Sequence, residues 1–151
     1  MDNYLYDICR MTILCVDDDI QTLEMMRIVL SKNYPNQKLV FADNAFDALN
    51  ISINIDPDIF VVDLYMPYID GAKFSETISN WNVEKSIVMM SASSHQVLSK
   101  KCLELGIKNH ITKPFDLVYL YEMLDNIMEI IFLKRLNAVK ALKHPDHCKT
   151  H

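Results

Sequence analysis

Acidic, hydroxyl and ammonium groups close four strand-like runs of this chain, three of them apolar almost throughout. Asp17, Asp18 and Asp19 follow Met11-Thr12-Ile13-Leu14-Cys15-Val16, and Asp63 follows Ile59-Phe60-Val61-Val62. Ser91 follows Ile87-Val88-Met89-Met90, and Lys113 follows 107–112. Carboxylates held together repel and raise one another's pKa. A divalent cation relieves that repulsion, and hard oxygen donors with open water positions suit Mg²⁺ or Mn²⁺ better than zinc. With a cation in place, one carboxylate can attack a phosphoryl group and form an acyl phosphate. Lys113 would then balance charge on the transferred oxygens, and Ser91 would donate a hydrogen bond to one of them. Asp63 is the candidate nucleophile, because its strand reads as central and the other acids remain to hold the metal.

Each piece alone has a plainer reading. Three aspartates after a strand are ordinarily a solvated turn and helix cap. An Asp shortly before Asp70-Gly71 can be turn chemistry, and Lys113-Pro114 can be a charged turn whose proline stops a strand. Ser91 can simply end one. What favours a site is that they all sit at the ends of strands, the first, third, fourth and fifth of the expected series. The chain has only 2 glycines in 151 residues, Gly71 and Gly106, so neither glycine-rich phosphate-binding motif can be written. Phosphate, if handled, is handled by the other device.

The elements that must position these groups follow from hydrophobic periodicity. Strands are expected at 11–16, 38–42, 59–63, 86–90 and 107–112, each followed by a helix. The helices read as 20–32 (Leu23, Met26 and Leu30 on one stripe), then from a cap at Asp43 or Asn44 to about 55 (through Phe46, Leu49 and Ile53). The next are near 73–80, at 94–105 closed by a left-handed Gly106, and a long one from 115. Apolar strands alternating with helices predict a doubly wound α/β domain with a five-stranded parallel sheet. In such sheets ligands bind beyond the carboxyl ends of the strands, where the acids, Ser91 and Lys113 fall.

Half the residues are hydrophobic and 23% are charged, which suits a globular chain with a real core. A net charge of −5 argues against direct binding to nucleic acid or an anionic membrane. Cys9, Cys15, Cys102 and Cys148 form no C-x-x-C pair and read as buried free thiols of a reducing compartment. The start of the chain lacks a basic-then-apolar leader, and no run reaches membrane-spanning length. A cytoplasmic protein is expected.

The four segments together resemble the receiver domain of two-component response regulators. Ile13 to Asp19 is similar to its first-strand acidic signature, and Val61-Val62-Asp63-Leu64-Tyr65-Met66-Pro67-Tyr68-Ile69-Asp70-Gly71 to its phosphoacceptor segment. Met89-Met90-Ser91-Ala92 resembles its fourth-strand hydroxyl motif and Lys113-Pro114-Phe115 its lysine motif. The resemblance spans roughly 11–131. It implies a flavodoxin-like (βα)5 fold with strand order 2-1-3-4-5. It also implies that Asp63 accepts a phosphoryl group from a histidine kinase or histidine phosphotransfer protein. Asp18, Asp63 and the Tyr65 backbone carbonyl would ligate Mg²⁺, Asp17 would act mainly through a metal-bound water, and Ser91 and Lys113 would meet the phosphoryl oxygens. Ala92 leaves room for the donor, and a cis bond is expected between Lys113 and Pro114. Serine stands where threonine is commoner. His110 stands where the family often has a rotating aromatic switch residue; its plainer reading is a partly exposed strand histidine.

Three regions are expected: an extension at 1–10, the receiver at 11–133, and a helical extension and tail at 134–151. Leu120, Tyr121, Leu124, Ile127, Met128 and Ile131 would pack the last helix on the sheet. Ile130, Phe132, Leu133, Leu136, Val139 and Leu142 continue the helical spacing to about Lys143. Those residues point either to self-association or another protein, or to packing back onto the domain or the 1–10 segment. His144, His147, Cys148 and His151 match no structural zinc spacing. The expected function is a phosphorylation-controlled switch acting on an unknown downstream protein through the face formed by the fourth helix, fifth strand and fifth helix of the βα series. Since no second domain follows, output through protein contacts is expected; a receiver excised from a longer regulator is the alternative. An aspartate-nucleophile phosphatase of the haloacid dehalogenase kind is a different class, and Asp63-Leu64-Tyr65 lacks its second acid. A scaffold that merely keeps the fold is disfavoured by the retained acids, hydroxyl and lysine.

Overall fold

The computed structural model describes residues 3–82 and 84–143. The strands are β1 (Thr12–Val16), β2 (Lys38–Ala42), β3 (Ile59–Asp63), β4 (Ser86–Ser91) and β5 (Asn109–Thr112). All pair in parallel, in the order β2-β1-β3-β4-β5. The helices are α1 (Asn3–Cys9), α2 (Ile20–Asn33), α3 (Ala45–Ile55), α4 (Gly71–Trp81), α5 (His95–Leu105) and α6 (Leu117–Lys143). The doubly wound α/β fold is as the sequence implies, and the strand order as the resemblance implies.

Alternate strand residues face opposite sides, so the sheet has two cores. Ile13, Cys15, Ile59, Val61, Val88, Met90 and Ile111 meet Leu23, Met26 and Leu30 of α2 and Leu120, Leu124 and Ile127 of α6. On the other side, Leu14, Val16, Phe60, Val62 and Ile87 meet Ala45 and Ala48 of α3 and Phe74 and Ile78 of α4. Met89 meets Leu98 and Cys102 of α5. All five residues of β3 are buried. This is why its sequence is an unbroken apolar run up to Asp63.

Helix caps set where the chain leaves each strand. Asp19, Asn44, Asp70 and Ser94 accept backbone N–H bonds from the first turns of α2, α3, α4 and α5. Gly106 ends α5 at φ 70°, with Ile107 N–H donating to the Cys102 carbonyl. That closure spends Ile107 on the cap, so β5 is shorter than the expected 107–112 run.

The structure departs from the pattern in other places. α3 does not turn Phe46 and Ile53 inward; both are exposed, and Ala45, Ala48 and Ser52 form the buried stripe. Small side chains let α3 lie close over the protruding β1 and β3 residues. α4 starts at Gly71, ahead of the expected 73, because Asp70 caps it through Lys73 N at 2.8 Å. The 1–10 extension contains α1, whose Ile8 is buried and which packs on α6. Cys15 and Cys102 are buried, and burial pushes their thiols up to about 12 and about 11. Cys9 is instead exposed, at the last residue of α1. Cys148 and the tail histidines His144, His147 and His151 lie outside the described residues. Among the described residues, no helix is long and apolar enough to cross a membrane.

Gly71 carries a specific demand. Its N–H donates to the Leu64 carbonyl at 2.8 Å, closing the loop that leaves β3. A Cβ there would lie 2.1 Å from the backbone oxygen of Asp63. Gly71→Ala is expected to cost about 2–3 kcal/mol by forcing the Asp63 backbone aside. At Gly106 a Cβ meets nothing within 4 Å; alanine there pays only its left-handed backbone, about 1 kcal/mol. Urea unfolding of both variants should rank Gly71→Ala as the more damaging; equal losses would show that the close approach is relieved cheaply.

Candidate functional site

The site lies at the carboxyl edge of β1, β3, β4 and β5. Asp17 directly follows β1 and is fully buried. Its Oδ1 accepts the Asp19 N–H at 2.9 Å, which turns the chain into α2. Asp18 is exposed at the rim. Asp63 ends β3, with 6% of its surface exposed. One ligand atom from each of Asp17, Asp18 and Asp63 falls within 4.8 Å of the others. Three hard oxygen donors at that spacing fit a divalent cation such as Mg²⁺ or Mn²⁺, with positions left for water.

Lys113 lies opposite. Its Nζ donates to Asp17 Oδ2 at 2.5 Å and to Asp63 Oδ1 at 3.0 Å. The Lys113 N–H donates to the Ser91 carbonyl at 2.7 Å, and the Lys113–Pro114 peptide bond is cis, as the family resemblance implies. Ser91 is fully buried at the end of β4, and its Oγ accepts the Ser93 N–H at 3.0 Å. Ala92 beside it is exposed.

The charges set each other's protonation. Burial pushes the Asp63 carboxyl up to about 6. Lys113 opposes this through its hydrogen bond, while the Asp17 and Asp18 charges add to it. Burial disfavours the Lys113 ammonium, but hydrogen bonds and attraction from Asp17 and Asp63 outweigh it and hold its pKa above the usual lysine value. Asp19 shows the plainer reading of an acid run: it is a helix cap, held below the usual carboxylate range by Thr22 and the Gln21 N–H.

Two further expected residues lie on the loop after β3 and on β5. The Tyr65 side chain is exposed in the loop after β3. His110, partly exposed on β5, turns toward α5, where its Nε2 lies 2.9 Å from Ser99 Oγ. Its ring centroid is 5.4 Å from that of His95. Burial first, then His95, lowers the His110 pKa. The sequence reading missed the His95–His110 pair, because only the packing of α5 on β5 joins positions on different elements.

A doubly wound sheet with clustered carboxylates, a hydroxyl and an ammonium at its switch point defines a metal-dependent phosphoryl-accepting site. Residues 13–125 match the family described as "Response regulator receiver domain", and this chain belongs to it. It is 27% identical over 103 residues to the chemotaxis protein CheY of Halobacterium salinarum, covering 68% of this chain and 84% of that one. It is 30% identical over 108 residues to the sensor histidine kinase GacS of Pseudomonas protegens, covering 68% of this chain but 12% of GacS. It therefore spans only about an eighth of that relative. A signal receiver domain of a DNA-binding response regulator from Colwellia psychrerythraea superposes with a TM-score of 0.74 at 23% identity, covering 79% of this chain and 98% of that one; this likeness shows the fold. The architecture and acid cluster are those of a phosphorylation-controlled switch, a phosphoacceptor rather than a turnover enzyme.

Without metal, Asp63 has a pKa of about 6 in the folded chain against the ordinary aspartate value of 3.8. Folding therefore takes up a proton between these values, and stability falls as pH rises through that window. Asp63→Asn abolishes the ionisation. In EDTA the variant should exceed the parent by roughly 1–3 kcal/mol at pH 7, with the gain shrinking toward zero at pH 4. Urea unfolding at the two pH values checks this; a gain that does not change with pH would show that Asp63 keeps an ordinary pKa.

Proposed function

We propose that Asp63 is the phosphoacceptor and that a histidine kinase or histidine phosphotransfer protein is its donor. The observation that carries this is Lys113, whose ammonium bridges a fully buried Asp17 and the β3-terminal Asp63. A carboxylate oxygen of Asp63 attacks phosphorus, an O–P bond forms, and the donor's bond to phosphorus breaks with its electron pair leaving on the donor. Asp17, Asp18, Asp63 and the Tyr65 backbone carbonyl are the proposed metal ligands. A bound Mg²⁺ or Mn²⁺ supplies charge neutralisation for the transferred oxygens. Lys113 exchanges its contact with Asp63 for one with a phosphoryl oxygen, and buried Ser91 turns its hydroxyl from the Ser93 turn to another.

The movement of Ser91 is read out on the face of α5, β5 and α6. His110 is the proposed relay there, since its ring already contacts Ser99 of α5. An unidentified downstream protein meets this face, in the cytoplasm and without direct nucleic-acid contact. The working division is an extension at 1–10, the receiver at 11–133 and a C-terminal extension at 134–151, with a homodimer contact through the long C-terminal helix. α6 crosses residue 133 without a break, so that boundary is one of role and not of backbone.

Intact-mass measurement after incubation with Mg²⁺ and a small acyl-phosphate donor tests the phosphoacceptor. A single phosphoryl adduct is expected, absent in EDTA and in Asp63→Asn. An adduct that survives in Asp63→Asn, or none from any donor or kinase, would remove Asp63 from this role. The same phosphorylation should shift the imidazole NMR resonances of His110. Unchanged resonances would exclude it as the relay.

A further inference from the structure

α6 has 27 residues, with its acidic and basic side chains segregated along its length. Glu122, Asp125 and Glu129 lie in its first half, and Lys134, Arg135, Lys140 and Lys143 in its second. Asp125 and Arg135 are engaged within the chain. Asp125 accepts the Tyr34 hydroxyl at 2.9 Å. Arg135 holds Asp58 and the Ile8 and Arg10 carbonyls, fixing α1 against α6. Glu129 and Lys140 make no ion pair among the described residues.

Glu129, Leu133, Leu136 and Lys140 follow one another at intervals of four, three and four. This spacing places them along a single seam of a helix. The seam points away from the core: Glu129 and Lys140 are exposed, Leu133 is 47% exposed and Leu136 is half-buried. Ile130 beside it is 55% exposed. Read from either end, the seam runs charge, leucine, leucine, opposite charge. It is therefore complementary to itself when reversed.

We infer that this seam of α6 docks on the same seam of a second copy, with the two helices antiparallel about a two-fold axis. This rests on the homodimer reading of the C-terminal helix and specifies its geometry. Leu133 of each copy packs on Leu136 of the other, and Glu129 of each faces Lys140 of the other at both ends. A two-fold contact makes every pairing twice, so one self-complementary seam suffices. A parallel arrangement would instead set Glu129 against Glu129 and Lys140 against Lys140, which like-charge repulsion disfavours. The apolar centre is small and the flanking pairs are solvent-exposed, so the dimer is a micromolar, salt-sensitive one.

Cysteine cross-linking in full-length protein carrying Cys9→Ser and Cys148→Ser discriminates the arrangements. Glu129→Cys and Lys140→Cys chains are oxidised separately and mixed. Positions eleven apart on a helix are about 16 Å apart, too far for a disulfide within a like pair of the antiparallel dimer. The expected product is the mixed 129–140 disulfide, formed only when both chains are present. Homotypic disulfides would overturn the antiparallel geometry while leaving a dimer through α6. No cross-link, with a monomer by sedimentation at high protein concentration, would overturn both. In the cysteine-intact chain, Glu129→Lys should weaken association about tenfold and Glu129→Lys with Lys140→Glu should restore it. Failure of the double exchange to restore association would also count against the pairing.

Discussion

The buried charge balance around Lys113 is the constraint to which the rest of the site is fitted. An ammonium between Asp17 and Asp63 is tolerable inside a protein only because both partners are in hydrogen-bond contact. The carboxylates in turn tolerate burial only with that ammonium or a metal cation beside them. The same contacts hold Lys113 charged while leaving Asp63 poised near a pKa of 6. A site balanced in this way responds strongly to an added metal or phosphoryl group, because either one changes which charges are paired.

The sheet delivers that balance. Parallel strands all end at one edge, so the four chemical groups arrive together without any of them being close in sequence. The register sets Asp63 beside Met90 and Ser91 beside Thr112, the residue before Lys113. Capping then steers the chain away from the cleft: Asp19 and Asp70 spend their carboxylates on helix N-termini, leaving Asp17, Asp18 and Asp63 for the cation. The near contact at Gly71 holds the loop after β3 against the Asp63 backbone. Low glycine content thus goes with close dependence on the glycine that remains at this turn.

At the far end, α6 links the switch face to the N-terminal segment. Its first half seals one core of the sheet, and Arg135 ties its second half to α1 and to Asp58, whose other oxygen accepts the Thr12 N–H at 2.9 Å. Asp58 sits at the amino edge of the sheet, opposite the acid cluster. α6 is therefore packed on the sheet and on α1 through one side while its Ile130 and Leu133 remain exposed on another.

The sequence determined the fold class, the five strands and the identity of the acid, hydroxyl and lysine groups. Buried parallel strands must be apolar along their whole length, so β1, β3 and β4 announce themselves and so do the polar residues that end them. It also located the close of α5, since a left-handed turn favours glycine at 106. Tertiary structure decided what local pattern does not encode. α3 buries small residues and exposes Phe46 because distance to the sheet, not hydrophobicity alone, selects its inner face. The packing of 3–9 is decided by α6 and Arg135, residues more than a hundred positions away. The pairing of His95 with His110 and the double contact of Lys113 likewise exist only once separate strands and helices are packed, because electrostatic and van der Waals contacts depend on distance in space and not along the chain.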